Sequence, residues 1–150
     1  MGLIINKPLP ELKMDDLLDQ LEIPRGSASR GIFAHFGGPV ERERGFVLHS
    51  ADYEATGATM RVNAAYGMTA TRDILAAIAD GNGPAVSLLM LGYAGWGPGQ
   101  LEQEIVQNGW LVSDATTEVV FAAQTATKWQ AALKTLGVDP VSLSAIGGRA

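Results

Sequence analysis

Residues 85–93 read Ala-Val-Ser-Leu-Leu-Met-Leu-Gly-Tyr, and they form the most continuous apolar stretch of this 150-residue chain. Turn-forming glycine and proline residues lie on both sides of the stretch. The run has about half of the ~20 apolar residues that a membrane span needs. A short apolar run between turns is typical of a strand that is buried on both faces. We therefore predict a central strand over residues 85–93.

Apolar residues at helical spacing lie on either side of this strand. Before the strand, Ile74, Leu75 and Ile78 share one face of a predicted helix. Thr69 or Thr71 is suited to the N-cap position of that helix. Gly81 is suited to the position just after its C-terminal end. Pro98 is suited to the first turn of a helix after the strand. Two further amphipathic helices are predicted over residues 14–21 and 129–136.

Further short runs indicate strands and complete the predicted fold. They are residues 3–5, ended by Pro8 and Pro10, and residues 32–36, 46–49, 58–63, 110–112 and 119–121. Adjacent strand pairs mixed with helices favour the α+β class over a regular alternating α/β sheet. The length fits one domain over residues 1–150.

Composition excludes several kinds of site. The chain has no cysteine, which removes disulfides, thiolate zinc sites, iron–sulfur clusters and thiol catalysis. Lys and Arg total 11 against 16 Asp and Glu, so the formal charge is −5. A nucleic-acid surface needs clustered cations to displace counterions, and we therefore expect no direct nucleic-acid binding. We expect neither a cofactor nor a metal ion.

The first residues carry no basic stretch followed by a long apolar run, so they do not form a signal peptide. Without an export signal, a membrane span or cysteine, the expected location is the cytoplasm. A strand-like run that begins at Leu3 is unusual, because most domains start with a short polar segment. Either the first strand happens to be terminal, or Met1 lies inside a longer ancestral domain and an upstream segment is absent. In the second case a strand partner is lost and an edge is exposed, which predicts a homo-oligomer or a tendency to aggregate.

Two histidines, His35 and His49, are the candidates for acid–base chemistry. With Asp52 they could supply three metal ligands only if the fold brings them together, and no His-Glu-x-x-His pattern exists. Ser50 follows His49 directly, but neighbours in a strand point to opposite faces. We therefore assign no catalytic residue. A small hydrolase or isomerase that uses His49 or His35 with a nearby carboxylate remains the alternative function.

The loop Gly95-Trp96-Gly97-Pro98-Gly99, with Gln100 after it, is the best candidate for a ligand cradle, because glycine-rich loops can direct backbone N–H groups at an anion. It matches neither the nucleotide P-loop nor the dinucleotide fingerprint. A tight turn in which Trp96 packs closely is the structural alternative.

A second candidate binding segment follows Gly37-Gly38-Pro39. In an extended chain, Arg42 and Arg44 would share one face and Glu41 and Glu43 the other. Arg42 and Arg44 could then present two guanidiniums to an acidic partner. The alternative is a solvated edge strand whose charges compensate each other.

Several segments together resemble the AlgH/YqgE family of bacterial proteins. They are residues 2–8 (Gly-Leu-Ile-Ile-Asn-Lys-Pro), 37–40 (Gly-Gly-Pro-Val), 45–50, 92–102 and 108–111. The resemblance implies a compact cytosolic α+β domain with a bifurcated or partly barrel-like sheet flanked by helices. It implies no catalytic residue. Some members carry a transcriptional-regulator label and most are uncharacterised. Members have a further apolar segment before Gly2, which this chain lacks.

Two functions follow as hypotheses. The first is a binding or regulatory module that acts through a protein or small-ligand partner. Its candidate residues are Gly37, Gly38, Pro39, Arg42, His49, Gly95, Trp96, Gly97, Gly99 and Gln100. The second is the hydrolase or isomerase described above.

Overall fold

A computed structural model describes residues 1–143, and the chain divides into two compact units at Gly95. The larger unit, Gly2–Ala94, contains strands β1 (Pro8–Lys13), β2 (Phe33–Phe36), β3 (Val40–Ser50), β4 (Thr59–Arg61), β5 (Tyr66–Thr69) and β6 (Ser87–Tyr93), with helices α1 (Met14–Gln20) and α2 (Arg72–Ala79). The described part of the smaller unit contains helices α3 (Gln100–Val106), α4 (Thr117–Val120) and α5 (Lys128–Thr135). The predicted α+β class is confirmed.

The six strands form one mixed sheet in the order β1-β2-β6-β3-β5-β4. Strand β6 pairs parallel with β2 and antiparallel with β3, and the remaining pairs are antiparallel. The predicted central strand is therefore confirmed, with Leu89 and Met90 buried on its two faces. Strands β1 and β4 end the sheet, which does not close into a barrel within residues 1–143.

Helices α1 and α2 cover one face of this sheet. Met14, Leu18 and Ile74 are 0–1% exposed and pack with Val47 and Leu89 in one core cluster. The N–H of Lys13 donates to the Asp16 carboxylate at 3.0 Å, which satisfies a free donor where α1 begins. The predicted helices over residues 14–21 and after Thr71 are thus confirmed, because their apolar residues repeat at helical spacing.

The prediction for the first residues is wrong. Residues 3–5 form no strand: Gly2 makes an isolated bridge with Ala94, and the Ile4 N–H donates to the Gly37 carbonyl at 2.8 Å. Pro8 and Pro10 lie within β1 instead of ending a strand. Prolines are tolerated there because β1 is an edge strand.

The smaller unit corrects two further predictions. Residues 110–112 are not a strand, and Val119 and Val120 lie on the short helix α4, with Phe121 at its C-cap. The Thr116 hydroxyl caps the first turn of α4. The Lys128 ammonium, at the start of α5, donates to the Val120 carbonyl at 2.7 Å. Burial lowers the pKa of Lys128. Over residues 1–143, every helix is too short or too polar to cross a bilayer.

Candidate functional site

The Gly37-Gly38-Pro39 turn is held closely against the end of β6. The Gly37 N–H donates to the Leu91 carbonyl at 2.7 Å. A Cβ atom on Gly37 would lie 2.3 Å from the Gly92 carbonyl oxygen, and one on Gly38 would lie 2.0 Å from the Tyr93 carbonyl carbon. Both positions therefore exclude any side chain. This packing accounts for the two glycines without a ligand.

Two cations converge on the aromatic ring that precedes this turn. The Lys7 ammonium lies 4.6 Å and the Arg42 guanidinium 5.6 Å from the centre of the Phe36 ring. Both side chains are exposed, and neither forms an ion pair within the described residues. We call Lys7, Phe36 and Arg42 the Phe36 patch. Its two cations are available to an anionic group.

Arg44 does not join this patch, which corrects the prediction that Arg42 and Arg44 act from one face. Arg44 lies over Phe46 at 5.2 Å and pairs with Glu41 at 3.0 Å. Glu41 has φ 46°, a left-handed conformation that interrupts the strand alternation, and the β3–β6 register shifts at this point. Glu41 therefore pairs with Arg44, although the alternation of an extended chain predicts that these two side chains point to opposite faces.

The glycine loop at residues 95–99 is organised around one carboxylate. Glu104 accepts hydrogen bonds from the indole N–H groups of Trp96, at 3.0 Å, and Trp110, at 2.7 Å. Its other oxygen accepts from the Gln100 amide at 2.9 Å. The two indole rings meet edge to face with centroids 5.8 Å apart. We call Trp96, Gln100, Glu104 and Trp110 the Glu104 cluster.

These contacts use the groups that a ligand cradle would need. The Gly97 N–H donates to the Gln100 side-chain oxygen at 3.0 Å, and Gly99, the N-cap residue before α3, has φ 74°. The hydrogen bonds of Trp110, Gln100 and Trp96 lower the pKa of Glu104, so a negative charge occupies this position at neutral pH. A tight turn fits this geometry better than an anion site. The ligand-binding role of Gly95, Trp96, Gly97, Gly99 and Gln100 stays a prediction.

His49 is fully buried, and both of its ring nitrogens have partners. Nδ1 lies 2.8 Å from the Ser50 carbonyl oxygen, and Nε2 lies 2.9 Å from the Thr69 hydroxyl. The Thr69 hydroxyl lies 2.7 Å from that of Thr59. The ring also meets Tyr53 edge to face. This arrangement favours a structural role for His49.

The other members of the hydrolase hypothesis are not assembled around His49. The Ser50 hydroxyl donates to Asp52 at 2.5 Å, and the Ala85 N–H donates to the other Asp52 oxygen at 2.9 Å. These two bonds lower the pKa of Asp52 and tie the end of β3 to the residues before β6. His35 is buried in β2, opposite Met90 of β6. Within residues 1–143, no three His, Cys, Asp or Glu side chains are grouped to hold a metal ion.

A cavity of about 250 Å³ lies in the larger unit, between the sheet and helices α1 and α2. Its deep wall is apolar, with Val47, Leu75 and Leu89 buried. Four of the lining residues are exposed. Gln20, Glu43 and Arg72 are polar or charged, and Ala70 is small and apolar. Small-molecule sites commonly combine an apolar wall with a few polar groups in this way.

Sequence reasoning missed this cavity because its lining comes from five elements, α1, β3, β5, α2 and β6, with no motif in any of them. The one local signal was the expectation that Thr69 or Thr71 caps α2. Thr71 does stand at the cap position, but its hydroxyl makes no capping hydrogen bond. The hydroxyl oxygen is shielded from solvent and has no hydrogen-bond partner in the described residues.

Comparison with known proteins identifies relatives over the whole chain. A model of the AlgH-like family matches residues 1–141. UPF0301 proteins of Cereibacter sphaeroides (strain ATCC 17029) and Paracoccus denitrificans are each 53% identical, over all of this chain and 82% and 80% of their own lengths. The solution structure of the AlgH protein from Pseudomonas aeruginosa is 38% identical with a TM-score of 0.78, and the match covers 100% of this chain and 79% of that one.

A crystal structure of a Corynebacterium diphtheriae protein shares the fold alone, with 17% identity and a TM-score of 0.64 over 88% of this chain and 68% of that one. The family match and the identity to the curated relatives each extend over nearly the full sequence. This chain therefore belongs to the AlgH-like family.

Proposed function

We propose that this protein is a cytoplasmic, non-enzymatic binding module that responds to a small ligand, and that it does not bind DNA directly. The cavity between α1, α2 and the sheet carries the proposal. It combines buried aliphatic side chains with charged groups at its exposed residues, which is the chemistry of a site for a small amphipathic molecule.

The distribution of charge supports a partner other than DNA. The formal charge is −5, and three arginines are already paired with carboxylates: Arg25 with Asp19, Arg44 with Glu41, and Arg61 with Glu54. A DNA-binding face needs several unpaired cations to contact successive phosphates.

The environment of His49 supports a non-enzymatic module. A general base must reach its substrate directly or through one water molecule. His49 is 0% exposed, and its nitrogens contact the Ser50 carbonyl and the Thr69 hydroxyl. A substrate would have to displace both contacts to use this imidazole.

Native mass spectrometry of protein purified gently from its host tests the ligand site. Ala70 is exposed and lines the cavity, so Ala70→Trp should fill it without disturbing the buried core. We expect a small-molecule adduct on the wild type that is lost in Ala70→Trp. Ala64→Trp, at an exposed position outside the cavity, is the matched control and should keep the adduct. Equal adducts in both variants, or bare wild-type protein, would contradict the proposal.

The Phe36 patch favours a second candidate function, the binding of an acidic segment of a protein partner. Two exposed cations beside one aromatic ring can hold a carboxylate in a partly desolvated setting.

Fluorescence anisotropy with a labelled octaglutamate peptide tests this candidate. The double variant Lys7→Ala/Arg42→Ala should weaken binding at least tenfold. The control Arg30→Ala/Lys134→Ala removes the same charge from exposed positions outside the patch, and it should change the affinity less than twofold. Equal losses in the two double variants would show that only net charge matters and would overturn a specific patch.

A further inference from the structure

We propose that the cavity binds an α-amino acid with an aliphatic side chain, in its zwitterionic form. The inference rests on the proposed function, since it takes the cavity to be the ligand site, and it names the chemistry of the ligand. Three features of the lining lead to it: the volume, the apolar depth and the two opposite charges.

The volume limits the ligand to a small molecule. The cavity measures about 250 Å³. An apolar protein cavity of roughly 150 Å³ holds benzene, which has six non-hydrogen atoms. In proportion, this cavity holds roughly ten non-hydrogen atoms. Leucine and isoleucine have this size, whereas nucleotides and most cofactors are too large.

The depth of the cavity selects an aliphatic group. Its buried wall comes from Val47 of β3, Leu75 of α2 and Leu89 of β6. Leu17 of α1 and Leu21, the residue after the end of α1, also line it. These side chains offer methyl groups and no hydrogen-bonding atom. A branched hydrocarbon side chain of a ligand would bury its surface here at no cost in lost hydrogen bonds.

The exposed lining residues supply one cation and one anion. Arg72, the first residue of α2, and Glu43, on β3, both line the cavity and are exposed. Neither forms an ion pair within the described residues. A carboxylate can bind the Arg72 guanidinium through two parallel hydrogen bonds, and an ammonium group can bind the Glu43 carboxylate. A zwitterion uses both charges, whereas a simple carboxylic acid would face the repulsion of Glu43.

Two details at the start of α2 refine the assignment. Asp73 already places a negative charge in the first turn, so the ligand carboxylate is assigned to the Arg72 side chain instead of the helix terminus. The Thr71 hydroxyl lacks a hydrogen-bond partner in the described residues, and Thr71 also lines the cavity. A polar ligand atom beside Thr71 would provide the missing partner.

Isothermal titration calorimetry with three matched probes tests the ligand class. L-Leucine carries both charges, 4-methylpentanoate lacks the ammonium, and 3-methylbutylamine lacks the carboxylate. We expect leucine to bind, and each of the other two to bind at least tenfold more weakly. Arg72→Gln should weaken leucine at least tenfold and leave the amine unchanged or bound more tightly. Glu43→Gln should weaken leucine to the same degree and leave 4-methylpentanoate unchanged or bound more tightly.

Controls separate this inference from the proposed function. Arg30→Gln and Glu11→Gln change exposed charges outside the cavity and should leave leucine binding within twofold. Circular dichroism verifies that each variant is folded. Absence of binding by leucine, isoleucine and valine at millimolar concentration would overturn the inference, as would equal binding of 4-methylpentanoate and leucine. If the native adduct still disappears in Ala70→Trp, the ligand class fails while the ligand site stands.

Discussion

At the scale of single residues, the missing side chain of Gly67 determines how His49 packs. A Cβ atom on Gly67 would lie 2.7 Å from Cε1 of His49 and 3.0 Å from the Thr59 methyl group. The imidazole cannot move away, because it is fully buried and held at both nitrogens. We expect Gly67→Ala to lower the free energy of unfolding by about 1–3 kcal/mol, the usual cost of overpacking a core. Urea-induced unfolding measures the change.

Gly45→Ala is the control for Gly67→Ala. Gly45 also lies in a strand of the sheet, and a Cβ atom there meets nothing within 4 Å. Alanine in a strand interior is favoured over glycine by about 0.5–1 kcal/mol. The control should therefore be neutral or more stable than the wild type. Similar losses of stability in the two variants would contradict a specific clash with His49.

The sequence identifies the histidines and Arg42 as candidates, but it does not predict which residues surround them. His35 and His49 stand out because they are the two histidines of the chain. The residues near His49 in sequence do not indicate that Thr69 and Gly67 contact its ring. Those contacts come from the pairing of β3 with β5. Arg42 was predicted as an exposed cation and is one, but Lys7 and Phe36 reach it only through the fold.

At the scale of elements, the Glu104 cluster ties the glycine loop to α3 and to the segment after it. Hydrogen bonds from Trp110, Gln100 and Trp96 place the pKa of Glu104 below its ordinary value of 4.5. A carboxylate with a lowered pKa stabilises the fold fully above its unfolded-state pKa, and this contribution disappears as the pH falls through the folded-state value. We expect a change in tryptophan fluorescence on acidification, centred below pH 4.5.

Two variants identify the group responsible for that change. Glu104→Gln should abolish the acid transition, because its side chain does not ionise. Glu102→Gln, on the same helix and exposed, should retain it. Trp129, on α5, contributes a background that neither variant alters. A midpoint at or above pH 4.5, or a transition that persists in Glu104→Gln, would refute the assignment.

Elements with a strong apolar period were predictable, and elements that depend on distant partners were not. Helices α1, α2 and α5 and strand β6 follow directly from their patterns. Strand β5 was missed because all four of its residues are buried and Gly67 interrupts any alternation. Residues 110–112 have the apolar character of a strand, but they form no strand. Local capping by Thr116 makes α4 a helix, although Val119, Val120 and Phe121 favour a strand.

At the scale of the whole molecule, the open sheet has two edges that must resist pairing with other chains. The Lys7 carbonyl accepts from the Phe36 N–H, so alternate residues of β1 face β2, while Pro8 and Pro10 face outward. Both prolines remove N–H donors from that edge. We expect Pro8→Val/Pro10→Val to restore the donors and promote self-association. Light scattering across a concentration series measures the average mass.

Exposed positions elsewhere provide the control for the edge. Pro24 lies in the loop after α1 and is exposed, so Pro24→Val removes a proline away from the sheet edge. It should leave the average mass unchanged. An unchanged mass in the double variant would show that the prolines do not protect the edge. The expectation of a homo-oligomer stays a prediction, and the wild-type mass in the same series tests it.

The position of β6 has a consequence for synthesis on the ribosome. β6 is the last strand of the sheet to be made, yet it lies between β2 and β3. Until Tyr93 has been translated, the nascent chain can form only two separate half-sheets, β1–β2 and β3–β5–β4, whose inner strands β2 and β3 lack their partner β6. Thr69 ends β5 and completes the second half-sheet, and Tyr93 ends β6, 24 residues later. At about 5–20 residues per second this interval lasts roughly 1–5 seconds, during which we expect a chaperone at the exit tunnel to bind these two unpaired strand edges.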